Sequence, residues 1–268
     1  MMAGGKPAIL LQPAELVVIA GAAAGSLLIS ITPPVARKLN KRLKQVFRKS
    51  PYSLAAATEL LQLLYHLSML VKREGVIALE AHLADPASSS VFSNYPLVLQ
   101  NAGALRFLTG ALGLQVDGAV TPEDLAGILE RELETIHAED SAPAGLLQKM
   151  GDALPGLGIV AAVLGIIITM GHMDGGPEVV GHHVACALVG TFLGVLLAYG
   201  FVQPIANAME QDLRDEENFF EAIMTGMVAF AHGKAPVVVM EVARRSLHSY
   251  RRPEREAMEE ACKALRAA

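Results

Sequence analysis

Residues 154–169, LPGLGIVAAVLGIIIT, and residues 184–206, VACALVGTFLGVLLAYGFVQPIA, contain no Asp, Glu, Lys or Arg. A bilayer core is about 30 Å thick and a helix rises about 1.5 Å per residue, so each run is near membrane-spanning length, the first once extended to Met173. Pro155, Gly156, Gly158 and Gly165 are unusual for a soluble helix. They are tolerated in a membrane bundle, where neighbouring helices re-satisfy freed backbone groups. A third run, 14–32, reaches roughly 28 Å at the same rise, and its one charge, Glu15, sits at its end. These three runs predict an all-α polytopic membrane protein with three transmembrane helices in this chain.

The composition agrees. Half of the 268 residues are apolar (52%), only 18% are charged and Trp is absent. The apolar positions gather in blocks, which favours spans over one oversized core. The net charge of -5 is unevenly distributed. Directly after the first run come Arg37, Lys38, Lys41, Arg42, Lys44, Arg48 and Lys49, with no acid until Glu59. Such a block holds its side of a membrane in the cytoplasm and argues against a cleaved signal peptide. With one aromatic, Phe47, it fits anionic lipid better than nucleic acid. The short connection after Gly171 carries no Lys or Arg and suits the outer face.

The expected organisation is a short outer lead (1–13), a span (14–32), a helical cytoplasmic domain (33–152), a span (153–173), an outer loop (174–183), a span (184–206) and a helical cytoplasmic tail (207–268). Within the cytoplasmic domain, Pro51 and Ser53 open a helix carrying Leu60, Leu61, Leu64, Leu67 and Leu70, and Gly75 ends or interrupts it. Thr121-Pro122-Glu123-Asp124 is a second helix start, with proline in the first turn. The tail breaks around Gly233 to Pro236 and again near Pro253.

Gly21 and Gly25 in the first span, and Gly190, Gly194 and Ala198 in the last, recur at four-residue intervals, as small residues do where helices approach closely. The contact they predict is within the chain or between subunits. No span carries an ionisable group near its centre, so a conducting pathway needs a carboxylate from a partner. Thr191 and Tyr199 are the polar groups of the last span, and a lone Thr also bonds its own preceding turn. Lys72, Arg73, Glu74 and Glu80 around Gly75 form either a solvated helix end or an electrostatic docking surface. His172, Asp174, His182 and His183 share the outer connection without metal-ligand spacing. No phosphate loop, nucleophile elbow or metal-binding helix motif occurs, so neither enzymatic activity nor a cofactor is expected. The cysteines, Cys186 and Cys262, have no disulfide or metal spacing.

Several phrases resemble the MotA family of the MotA/TolQ/ExbB proton channels. They are Gln12-Pro13-Ala14-Glu15-Leu16, Leu154 through Val163, Val189-Gly190-Thr191-Phe192-Leu193-Gly194, Leu196-Leu197-Ala198-Tyr199-Gly200-Phe201, Phe92 with Tyr95-Pro96, and His232-Gly233 with Ala235-Pro236. The resemblance implies a flagellar motor stator subunit of the bacterial inner membrane. It implies a pentameric ring around two copies of MotB, a one-span protein whose transmembrane aspartate carries the ion, and a rotor partner, FliG. By residue match, Pro155 lies beside that aspartate, Thr191 faces the ion path and Pro236 is a second coupling proline. Glu80 falls on the acidic rotor-facing position and Lys72 on the basic one, where Lys keeps the charge without the guanidinium fork. Ala162 stands where sodium-driven relatives carry Thr, which points to the proton as the translocated ion. The family has four spans, so its first transmembrane helix is expected to be missing ahead of Gln12. A TolQ/ExbB-like energiser of envelope transport is the alternative reading.

Overall fold

The computed structural model describes residues 12–118, 120–171 and 176–267. Among these every regular element is helical, and two compact units emerge: residues up to Arg48 with Asp140–Gln211, and Lys49–Glu139 with Asp212–Ala268. Most of the lead, together with His172 and Asp174 of the expected outer loop, lies outside the described residues.

The first unit begins with α1 (Pro13–Ser30), which has proline in its first turn. Thr32, just before Pro33, is extended, because the proline ring excludes the helical region for its predecessor. The chain therefore breaks and restarts as α2 (Pro33–Val46). This helix is amphipathic. Leu39, Leu43 and Val46 pack with Ala144, Leu147, Ala206 and Met209. On the polar side, Lys38 Nζ and the Arg42 guanidinium both reach Asp140, each at 2.8 Å. Arg37, Lys41, Lys44, Arg48 and Lys49 stay exposed.

Two long helices supply the rest of the apolar mass. Helix α7 runs unbroken from Pro122 to Met170, with Pro143 and Pro155 inside it. Helix α8 (Pro177–Leu197) passes through a π-helical turn, Ala198–Val202, into α9 (Gln203–Ala231). The boundaries expected at 152/153 and 206/207 are thus not breaks in secondary structure. At about 1.5 Å per residue, the 49-residue α7 is about 74 Å long, more than twice a bilayer core of about 30 Å. Only its apolar end, after Ala153, needs lipid. There Ile159, Val160, Val163, Leu164, Ile167 and Ile168 are exposed, as are Leu188 and Phe192 on α8 and Val17, Leu28 and Ile29 on α1. An apolar surface this continuous is a membrane or protein contact.

The second unit surrounds α3 (Leu54–Glu74). The Ser53 hydroxyl accepts from the Ala56 N–H at 3.2 Å and starts it, and Gly75, at φ 87°, stops it in a conformation other residues rarely adopt. This helix is also long and apolar enough to cross a membrane, one of four such among the described residues. Its leucines are nonetheless covered by protein. Leu60, Leu61, Leu63, Leu64 and Tyr65 are sealed against Phe107, Leu108, Val239 and Met240, and half of its apolar window is buried against about a tenth for α1. Around it lie α4 (Leu79–Ala84), α5 (Pro96–Gln100), α6 (Ala102–Val116), the first turns of α7, the end of α9, α10 (Pro236–Ser246) and α11 (Arg255–Ala267). Helix α7 starts where expected, with a reciprocal cap. The Thr121 hydroxyl accepts from Asp124 N–H at 3.1 Å and donates to the Asp124 carboxylate at 2.8 Å. Gly233, at φ 66°, lets the chain turn before Pro236 opens α10.

Candidate functional site

In the first unit, α7 and α8 meet through glycines. A methyl group added at Gly194 would lie 2.7 Å from the Leu154 carbonyl oxygen and 2.8 Å from Gly158 Cα. One at Gly158 would lie 2.8 Å from the Gly190 carbonyl oxygen and 3.3 Å from Thr191 Cα. Only backbone with no side chain between allows such an approach. Of the small residues singled out in the sequence, Gly190, Gly194 and fully buried Ala198 are used within the chain. Gly21 and Gly25 are not. Nothing lies within 4 Å of either Cβ position, because α1 turns Ile19 and Ala23 inward instead. Across the seam Gly158 meets Gly190 and Gly194, and Gly165, two turns further along α7, meets Ala187.

The seam brings three of the expected ion-path residues to one place. Thr191 borders Gly158, which lies between Pro155 and Ala162 on α7, and the Ala162 backbone nitrogen is 3.2 Å from the Gly190 Cβ position. Pro155 has no N–H and leaves the carbonyl one turn earlier in α7 without its helical partner. Backbone oxygen and one hydroxyl are therefore the polar groups that Pro155 and Thr191 offer. Tyr199 is exposed and lies in the π-turn, where an extra residue per turn loosens the helix.

The remaining expected residues belong to the second unit. Lys72, in the last turn of α3, and Glu80, in the first turn of α4, are both exposed, and between them a 3-10 turn holds Ile77 out at 72% exposure. Pro236 is buried at the first position of α10. Midway along that helix Glu241 is clasped by Arg244 and Arg245, and the Arg244 hydrogen bonds hold its carboxyl down at about 2. Beneath α3, burial pushes the Tyr95 hydroxyl up to about 12 and lowers His66, whose Nδ1 lies 3.1 Å from that hydroxyl. Among the described residues no group of three His, Cys, Asp or Glu side chains is placed to hold a metal ion.

The chain is 35% identical to motility protein A of Escherichia coli K12 over 266 residues, covering 99% of this chain and 90% of the relative. It belongs to the MotA family. The motility protein A N-terminal model matches residues 1–75, and the MotA/TolQ/ExbB proton channel model matches 100–222. Chemotaxis protein LafT of Vibrio parahaemolyticus is 38% identical over 247 residues, 92% of this chain and 87% of that one. The fold is that of C. jejuni MotAB, with TM-score 0.77, 21% identity and coverage of 95% of this chain and 91% of that chain. The Bacillus subtilis MotAB stator complex gives 0.73, 24%, 97% and 92%. Thr191, Ala162, Pro155 and Tyr199 fall inside the channel model and Lys72 inside the motility model. Glu80 and Pro236 fall outside both.

Proposed function

We propose that this MotA-family chain is an ion-conducting stator subunit of a flagellar motor in the bacterial inner membrane. In that reading a pentamer of it encloses a MotB-type partner whose one span carries the ion-binding carboxylate. The observation that carries the reading is the α7–α8 seam. Its glycines draw the two backbones together, and the Thr191 hydroxyl and the Pro155 interruption offer oxygens, while residues 154–170 of α7 and 179–202 of α8 and the π-turn contribute no acid of their own. The missing acid is what a one-span partner supplies. The relatives of the same fold are complexes named MotAB, in keeping with such a partner.

The translocated ion is the proton. Sodium sheds its hydration shell only for several oxygen ligands, and Ala162 contributes none from its side chain. A proton needs the partner's carboxylate and a hydrogen-bonded path. Each charge crossing gains about 2.3 kcal/mol per 100 mV. The soluble unit, with Lys72 and Glu80 exposed, takes the cytoplasmic side and meets the rotor protein FliG. The basic face of α2 rests on anionic lipid there. Rotation of the stator, assembled with its partner, is to be followed with sodium replaced by potassium at fixed pH. Rotation that continues without sodium and stops with a protonophore is the expected result. Rotation that stops without sodium, returns on its addition and ignores the protonophore overturns the proton reading.

A further inference from the structure

Glu15 stands in the first turn of α1, and by sequence it belongs to the edge of a span. The fold brings its carboxyl into the helix seam. Oε1 lies 3.2 Å from the Cβ position of Gly165 on α7, and Oε2 lies 3.0 Å from that of Gly190 on α8. Both glycines are therefore needed to make room for it, since a methyl group at either would press on the carboxyl oxygens. Gly190 immediately precedes Thr191, and its Cβ position is 3.2 Å from the Ala162 nitrogen. The carboxyl thus ends beside the segment already read as the ion path. Among the described residues no cation and no hydrogen-bond donor is recorded on its oxygens.

A carboxylate facing apolar helices without a counter-ion is costly, and an intramembrane acid is retained where it moves charge. One turn earlier on the same helix, the Gln12 side-chain amide donates to Cys186 Sγ at 3.0 Å, and His182 Nε2 lies 3.7 Å from that sulfur. Polar side chains therefore link the start of α1, three residues before Glu15, to α8. The titratable groups of α8 are Glu178, His182, His183 and Cys186, and residues 154–170 of α7 contribute none.

We propose that Glu15 is a proton-carrying residue of this chain, standing between the outer surface and the Ala162–Thr191 level. An O–H bond forms on a carboxyl oxygen when a proton arrives from the outer side. The same bond breaks when the proton passes inward to the partner's carboxylate, which restores the Glu15 anion. Nothing is oxidised or reduced. The assignment rests on the proton-channel reading given above.

The test uses the full chain assembled with its one-span partner in proteoliposomes, with proton uptake followed by a pH-sensitive dye under a potassium diffusion potential. Wild-type complex that moves no protons defeats the channel reading itself. With wild-type flux in hand, Glu15→Gln, which keeps the shape and removes the titration, should lower flux at least about tenfold. Glu15→Asp should retain an intermediate rate, and its dependence on outside pH should persist while that of Glu15→Gln flattens. Co-purification with the partner at wild-type yield shows that assembly is intact. Infrared difference spectra should lose the carbonyl band of a protonated carboxylic acid in Glu15→Gln. Full flux and an unchanged pH profile in Glu15→Gln overturn the proposal. So does equal loss of flux in Gln and Asp variants with the pH profile of the residual flux unchanged, because that pattern marks a packing role.

Discussion

Replacing Gly194 by Ala should destabilise the protein, although alanine is the better helix former. The added methyl would sit 2.7 Å from the Leu154 carbonyl oxygen and 2.8 Å from Gly158 Cα, short of the 3.4 Å at which ordinary contact begins. Both obstacles are backbone, so no rotamer change relieves them and α7 must move away from α8 by roughly half an ångström. Overpacking of this kind costs about 3 kcal/mol at the upper end of its usual range. The gain in helix propensity returns about 1 kcal/mol, leaving a net loss of about 2 kcal/mol. Gly21→Ala and Gly25→Ala are the controls, because nothing lies within 4 Å of either Cβ position. They keep the propensity gain of about 1 kcal/mol, so the same substitution should differ by about 3 kcal/mol between the two spans. At about 2–4 °C per kcal/mol, the melting points of detergent-solubilised variants should separate by about 6–12 °C, read from helical circular dichroism. Gly194→Ala melting together with or above Gly21→Ala would show that the seam is looser than these distances require.

Three further outcomes are expected. Asp140→Ala should cost about 2–3 kcal/mol in the same melt, because it strips the carboxylate from Arg42, whose side chain is 9% exposed, and from Lys38; Asp140→Glu should recover part of it. Acid should weaken the second unit through Glu241, whose folded carboxyl is held at about 2 against an ordinary 4.5. A depressed carboxyl contributes stability above its unfolded value, and that contribution disappears as pH falls from about 4.5 toward 2. The wild type should therefore lose more stability than Glu241→Gln over that window, and parallel acid titrations of the two would contradict this. Exchanging the exposed charges as Lys72→Glu with Glu80→Lys should depress swimming in semisolid agar while membrane insertion is unchanged; normal swimming would mean that both are merely solvated.

Wherever a single residue type dictates a local conformation, the chain alone determined the outcome. Ser53 and Gly75 bound α3, Thr121-Pro122 starts α7, and Pro33-Pro34 and Pro236 open helices because proline fits the first turn and disrupts the interior. The charge-free runs likewise set the membrane class, since lipid admits no unpaired backbone or isolated charge. Everything that depends on which faces meet was decided only by the tertiary structure. The run from 122 to 170 and the passage from α8 through the π-turn into α9 are continuous because helical hydrogen bonding does not stop where polarity changes. Nor does spacing reveal its partner. Gly190 and Gly194 find Gly158, while the identical interval at Gly21 and Gly25 is left open, because Ile19 and Ala23 are the residues α1 turns inward. Glu15, an end-of-span residue along the chain, reaches the α7–α8 seam because the glycines of two other helices leave space for its carboxyl, an arrangement carried by three segments together and by none of them alone.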